Sequence, residues 1–389
     1  MSDYAGLEKL RQLIQPRLDL IREQGRWRSL RTLEPQSGAI DLTHNDYLGL
    51  RHDPIFQARA REAAAAWPVG AGASRLLGGE HSIYAEVERA FATWKGAESA
   101  LYFSSGYAAN EALMAALAHS GAVFFSDALN HASLIDGLRL ARLQPQQKVI
   151  FPHNDWQFLE ESLRRSEAPL KLIVTEALFS MDGDFCPLDE LRTLCCRYQA
   201  LLVVDEAHSL GLYGPRGAGF AAACGFPGDA MISVNPCGKA MAAAGAFIAG
   251  PRWLRDYLIN TARSFIFSTG ASPWLAAALG EAIAYVPTLE TRRQTLRSQA
   301  ARMRSELSKL DFDIGPSSSH IIPLITGDEA RALHAEEWMR QRGILVRAIR
   351  PPTVPEASCR LRLSLHAGLD EAAVDSILLT FKELRYALS

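Results

Sequence analysis

Cysteine is scarce and scattered. The six cysteines, at 186, 195, 196, 224, 237 and 359, form no C-x-x-C pair and have no histidine partners at zinc-finger spacing. That argues against a structural zinc or any other metal site, and the six read as reduced, mostly buried thiols of a cytoplasmic protein. An excess of one charge is also missing: 41 basic against 43 acidic side chains leave a net charge of −2. This excludes a nucleic-acid footprint and a polybasic membrane patch. No apolar run is long enough for a bilayer, and the opening MSDYAGLEKLRQLIQ is amphipathic and charged, unlike a secretory leader. A dinucleotide fingerprint is absent too. Gly70-x-Gly72 is followed at position 75 by Arg75 instead of glycine, and no strand precedes it.

What is present is a globular chain of 389 residues, 48% hydrophobic, which is long enough for one large and one small domain. Leu7, Leu10, Leu13, Ile14, Leu18 and Ile21 fall at helical spacing and predict a first helix over 4–24. From about residue 81, apolar runs of strand length alternate with helical patterns. SALYF, AVFFSD, KVIF, LKLIVTE, LLVVDE, AMISV and AFIAG make seven strand candidates. Apolar strands separated by helices imply a mostly parallel sheet covered on both faces, an α/β fold. SFIFST reads as extended. A charged helical stretch then leads to a small α+β unit with strand candidates HIIPLIT, GILVRAI and RLRLSL. The organisation expected is an N-terminal helix and arm over 1–45, a large α/β domain over 46–285 and a small C-terminal domain over 286–389.

Candidate chemistry gathers where these strands end. LLVVDEAHSLG stops at Asp205 and His208, and Lys239 follows in SVNPCGKAMAAAG as the only charge in a run of small and apolar residues. Open α/β sheets bind ligands at that edge. One lysine for an aldehyde and one carboxylate for a pyridinium nitrogen are what pyridoxal phosphate (PLP) requires. Capping the following helix is the other reading of Asp205. Ser105, Gly106 and Tyr107 sit at a strand-to-helix junction, where backbone N–H groups and the helix dipole favour a phosphate. His131 opens a helix after FFSDALN and could lie on the cofactor ring. Arg360 and Arg362 alternate with Leu361, Leu363 and Leu365, so both arginines share one strand face and suit a carboxylate. Arg28 is free to reach a substrate carboxylate.

NDYLGL, SSGYAAN, NHASLIDG, TEALFSMDGD, DEAHSLG, the lysine after a glycine, and AIRPPTVPEASCRLRLSL occur here in one order. In that order the chain resembles the PLP-dependent α-oxoamine synthases, from about Arg17 to Leu379, and RAIRPPTVP is most similar to the biotin-pathway branch. The resemblance implies a fold-type I PLP transferase, a homodimer with sites at the subunit interface, and decarboxylative condensation of L-alanine with a pimeloyl thioester. The thioester could be carried on coenzyme A or on an acyl carrier protein. The family's other reactions join glycine or serine to different acyl groups; a non-catalytic pairing subunit is the reading from another class. By motif position Lys239 would bond the cofactor aldehyde and Asp205 the pyridinium. His131 would stack on the ring, with Ser180 and His208 near its 3-hydroxyl. Ser105, Gly106 and Tyr107 would hold the phosphate, helped by Ser268 and Thr269 from the neighbouring subunit. Asn45 and Arg362 would hold the amino acid, and Arg28 the acyl substrate. The chain departs from the family at Pro236, three residues before the lysine, where a hydroxyl is usual; Asn235 is the nearest substitute donor. Arg26, Arg28 and Arg31 hint at a basic patch for a carrier protein.

Overall fold

The structure, a computed structural model, describes residues 5–30, 38–118, 121–226 and 230–388. Arg31 and most of the EPQSG turn lie outside the described residues. The described strands are β1 (Ile40–Asp41), β2 (Ser99–Phe103), β3 (Ala122–Asp127), β4 (Lys148–Phe151), β5 (Leu170–Glu176), β6 (Ala200–Asp205), β7 (Met231–Pro236), β8 (Ala246–Gly250), β9 (Ile321–Gly327), β10 (Ile344–Leu345), β11 (Arg347–Ile349) and β12 (Cys359–Ser364). The helices that matter below are α1 (Ala5–Glu23), α2 (Pro54–Ala64), α3 (Ser82–Lys95), α4 (Gly106–Leu117) and α5 (Ala132–Leu140).

Seven strands form one sheet in the order β2-β8-β7-β6-β5-β3-β4. Only β8 runs against the others, since it pairs antiparallel with both β2 and β7 while the remaining pairs are parallel. Its strands are apolar nearly throughout because both faces are covered. In β5, Leu172 and Val174 join one buried layer and Ile173 the opposite one; in β6, Val203 and Leu202 divide the same way. Fold class and strand inventory thus match the reading of the sequence. Polar residues appear where the strands run out, so the carboxyl edge of the sheet collects Asp127, Glu176 and Asp205.

A second, antiparallel sheet of β11-β12-β9 lies C-terminal to this. The expected single strand GILVRAI is broken in two. Ile344–Leu345 pairs with β1, and Arg347–Ile349 pairs with β12, so one apolar run serves two sheets. SFIFST is not extended either. Arg263–Ile266 forms a turn of helix, with Phe265 buried and Ser268 and Thr269 exposed after it. Aromatic and β-branched content favours strands, but tertiary context overrides it here. The charged connector is two helices, Pro273–Tyr285 and Glu290–Lys309, divided by a short turn at Val286–Thr288.

The two sheets meet through the FSMDGD loop. Gly183 has φ +70°, and a Cβ there would lie 2.0 Å from the Ile321 carbonyl oxygen. Only glycine allows the loop to run this close to β9. That approach sets Ser180 and Asp182 against the arginines of β12.

Candidate active site

Asp205 ends β6 and is buried, with both carboxylate oxygens engaged. Oδ1 accepts from the Ala207 amide at 2.8 Å and Oδ2 from Asn110 Nδ2 at 2.7 Å. The amide of Asn110, on α4, also donates to Ser133 Oγ at 2.9 Å, and Ser133 Oγ meets His131 Nδ1 at 2.7 Å. One helix residue therefore links the acid to the histidine that opens α5. His131 also caps that helix, accepting from the Ser133 amide at 3.2 Å, so the structural and functional readings of this residue coexist. His131 nevertheless remains exposed. Burial lowers its pKa, against the nearby Asp205 charge, which raises it.

The same α4 begins at the phosphate candidates. Ser105 is its N-cap, its hydroxyl accepting from the Ala108 amide at 3.1 Å. The first N–H groups of the helix, of Gly106 and Tyr107, have no intrahelical acceptor and are the natural anion donors. The Tyr107 side chain turns away to bond Asp136, leaving its backbone for that task. Pro236, at the end of β7, lies against Gly106: a Cβ on Gly106 would sit 2.7 Å from Pro236 Cγ. The hydroxyl missing at 236 is not replaced by Asn235. That amide spends its donors on Ser233 O and Oγ, at 3.0 and 2.9 Å, and on Phe247 O, and it is fully buried in the strand.

Lys239 follows on the loop after β7, and its Nζ lies 2.9 Å from His208 Nε2. Burial pulls the lysine down to about 8, opposed by Asp205 and Glu176. It is therefore partly a free amine near neutral pH, as a nucleophile must be. His208 is held neutral: burial, then the positive charges of Lys239 and Arg362, push its pKa well down. Its Nδ1 is 2.6 Å from the Tyr47 hydroxyl. Arg362 completes the group, donating from Nε to Ser180 O at 2.6 Å, from Nη1 to Asn45 Oδ1 at 3.1 Å and to Ser364 Oγ, and from Nη2 to Tyr47 at 3.5 Å. Arg360 does not join it. It is buried against Asp182 at 2.6 Å and the Met181 carbonyl, so one arginine of the pair braces the fold and one faces the site.

The structure thus brings together Lys239, His208, Arg362, Asn45 and the Ser180 backbone, and it links Asp205 to His131 through Asn110. Arg28 is placed elsewhere, donating to Thr353 Oγ1 at 3.2 Å in the RAIRPPTVP segment. Arg26 is neutralised by Glu329 and Glu356, which removes it from any basic patch. Ser268 and Thr269 are exposed beside the glycine-rich loop, where the Gly270 amide donates to Ala73 O at 2.9 Å. Arg75 locks that loop in ion pairs with Glu80 and Glu88.

Four participants carried no role in the sequence reading. Tyr47, Asn110 and Ser364 lie inside NDYLGL, SSGYAAN and RLRLSL, but nothing local shows that they meet other motifs. Glu176 was visible as a strand-end acid. It pairs in register with Asp205, and burial followed by the Asp205 charge raises its pKa well above the ordinary carboxyl value.

The donor set fits PLP: an amine whose pKa burial lowers, an acid whose two oxygens each accept from an N–H donor, an exposed imidazole, and a helix N-terminus opened by glycine. A family model for aminotransferases of class I and II matches residues 37–380. The chain belongs to that family, and within it to the PLP-dependent α-oxoamine synthases of fold type I. Among its relatives is the 8-amino-7-oxononanoate synthase of Anaeromyxobacter dehalogenans strain 2CP-1, 44% identical over 370 residues, which are 93% of this chain and 92% of that one. The enzyme of the same name from Chromobacterium violaceum is 41% identical over 94% of this chain and 96% of its own. A serine palmitoyltransferase variant from S. paucimobilis, solved with a bound PLP–myriocin adduct, superposes with a TM-score of 0.86 at 28% identity, covering 99% of this chain and 98% of that one.

Proposed function

We propose that the protein is a PLP-dependent 8-amino-7-oxononanoate synthase, condensing L-alanine with a pimeloyl thioester and releasing CO2, in biotin biosynthesis. The observation that carries the reading is the near-neutral Lys239 amine, 2.9 Å from a neutral His208 and facing Asp205. When bound, PLP supplies an electron sink for charge developing at the amino-acid Cα. Lys239 Nζ would hold the cofactor through its aldehyde and, as a free amine, would take the Cα proton of the amino acid and return one at product release. Asp205, its oxygens fixed by Ala207 and Asn110, would be the carboxylate for the pyridine nitrogen. Arg362 and Asn45 would hold the alanine carboxylate, and His131 would cover the ring. Gly106 and Tyr107 would bind the phosphate through backbone N–H groups, next to the Ser105 cap, while Ser180 and His208 would serve the 3-hydroxyl. Arg28 receives the acyl chain.

The protein works in the cytoplasm as a homodimer, with Ser268 and Thr269 completing the neighbouring subunit's phosphate site. Support for the pairing comes from Val69, Leu77 and Phe267, which flank this region and are 81%, 83% and 70% exposed in the isolated chain. No helix among the described residues is long and apolar enough to cross a membrane. Residues 46–285 form the large domain, 286–389 the small one and 1–45 the arm. The likeness to serine palmitoyltransferase supports a second reading, serine with a longer acyl thioester.

Incubation of purified protein with PLP, L-alanine and pimeloyl-CoA, followed by mass spectrometry, tests both. Formation of 8-amino-7-oxononanoate that Lys239→Ala abolishes supports the first reading. Product only with L-serine and palmitoyl-CoA supports the second. A protein that takes up no PLP refutes both.

A further inference from the structure

We infer that Tyr47 is a positioning residue that holds His208 in the tautomer protonated on Nε2, so that the imidazole donates to Lys239 instead of accepting from it. The inference rests on reading Lys239 as the reacting amine. It follows from counting donors and acceptors around one buried hydroxyl. Tyr47 is fully buried, and its hydroxyl has three neighbours: His208 Nδ1 at 2.6 Å, Asn45 Oδ1 at 3.0 Å and Arg362 Nη2 at 3.5 Å. Arginine only donates, so the phenol oxygen accepts from Nη2 and has one proton to give. Asn45 Oδ1 is the farther of that proton's two possible acceptors, at 3.0 Å against 2.6 Å for His208 Nδ1, and is also served by Arg362 Nη1 at 3.1 Å and Ser364 Oγ at 3.3 Å. The phenol proton therefore goes to the nearer acceptor, His208 Nδ1. A neutral imidazole that accepts at Nδ1 carries its hydrogen on Nε2.

Nε2 is the atom 2.9 Å from Lys239 Nζ. An Nε2–H there requires a lone pair on the lysine, and an ammonium offers none. The tautomer set by Tyr47 thus selects the free amine. Burial and the Arg362 charge act in the same direction, while Asp205 and Glu176, at the ends of β6 and β5, oppose it. Arg362 adds positive charge beside His208, and the neighbouring imidazoles of His131 and His320 are both lowered by burial. The phenol itself stays protonated, since burial raises it to about 12. Its ring is fixed edge-on against buried His320, with centroids 4.1 Å apart and planes at 74°, so the hydroxyl cannot swing away. The chain Arg362–Tyr47–His208–Lys239 also joins the group proposed to grip the substrate carboxylate to the amine that reacts with the same substrate.

Two measurements on the full-length chain, freed of cofactor, test the role. Nitrogen-15 NMR of histidine-labelled protein reports the His208 tautomer, assigned by loss of the signal in His208→Asn. The wild-type protein is expected to show a proton on Nε2 and a bare Nδ1. Tyr47→Phe keeps the ring packed on His320 and removes only the hydroxyl. In that variant Nδ1 loses its donor, Nε2 becomes free to accept from an ammonium, and the pH midpoint for Lys239 modification by an amine reagent should rise by about half a unit or more. A wild-type Nδ1–H tautomer overturns the proposal even if the variant fails to fold. So does a folded variant whose Lys239 midpoint is unchanged or lower. If both results come out as expected in a protein that makes no aminoketone, the synthase reading fails and the role of Tyr47 stands.

Discussion

Beneath the site, Lys95 and Glu206 form an ion pair whose side chains are 1% and 0% exposed, with Nζ 2.9 Å from Oε1. Glu206 immediately follows Asp205, so the pair anchors the strand end that carries Asp205. Lys95→Met fills the same space without the charge and strands a carboxylate in the interior. Breaking a buried pair in this way costs about 3–5 kcal/mol, because the remaining charge keeps its desolvation penalty. Glu206 would retain the Phe220 and Ala221 amides, at 2.8 and 3.1 Å, and the Ser209 hydroxyl. These donors offset part of the loss and place the expected value at the lower end, about 3 kcal/mol. Urea titration at neutral pH measures it, followed by tryptophan fluorescence and far-ultraviolet circular dichroism to check that the transitions coincide. Lys95→Met with Glu206→Gln leaves no unpaired charge and should recover at least half the loss. A single variant that loses less than about 1 kcal/mol, or a double variant less stable than the single, refutes the reasoning.

Pro236 supplies no side-chain donor beside the helix N-terminus proposed to hold phosphate, and Asn235 does not compensate. Pro236→Thr adds a hydroxyl there and should tighten PLP binding by about tenfold, read by fluorescence titration, the increment of one charge-assisted hydrogen bond; unchanged affinity would show that the phosphate is satisfied elsewhere. Gly106→Ala should weaken PLP binding in the natural background, where the new Cβ meets the Pro236 ring at 2.7 Å, and less so beside Pro236→Ala. His153 bridges Asp127 and Asp184 at 3.0 and 2.9 Å, and although burial opposes it, bonding to both acids raises its pKa to about 10. A raised pKa stabilises the folded state fully below the unfolded value near about 6.5 and ceases to as pH climbs through about 10. The urea midpoint should therefore fall between pH 7 and pH 10.5, with a shallower fall in His153→Phe; identical slopes in the two proteins would contradict this.

The strands of the large sheet were legible because each is an apolar run bounded by polar residues, and burial on both faces leaves no other periodicity to mislead. Lys239 stood out as a lone charge among alanines, and the helix start at Ser105-Gly106 carried its own cap signal. SFIFST misled for the complementary reason. Its composition suits a strand, but strand propensity takes effect only where a sheet edge receives the segment, and here a turn of helix buries Phe265 instead.

What the sequence by itself determined is the order of elements and which chemical groups arrive at the carboxyl edge of the sheet. Which of those groups touch was decided only in three dimensions. Asn110 reaches Asp205 across 95 positions, Tyr47 reaches His208 across 161, and Arg362 reaches Asn45 across 317. Hydrophobic periodicity sets the face on which a side chain lies and carries no information about which distant segment closes over it. Arg360 and Arg362 make the limit plain. They are equivalent by alternation on one strand, yet Arg360 is spent on the Asp182 carboxylate, whereas Arg362 gives the FSMDGD loop only its Nε, to the Ser180 carbonyl, and keeps its other nitrogens for Asn45, Ser364 and Tyr47.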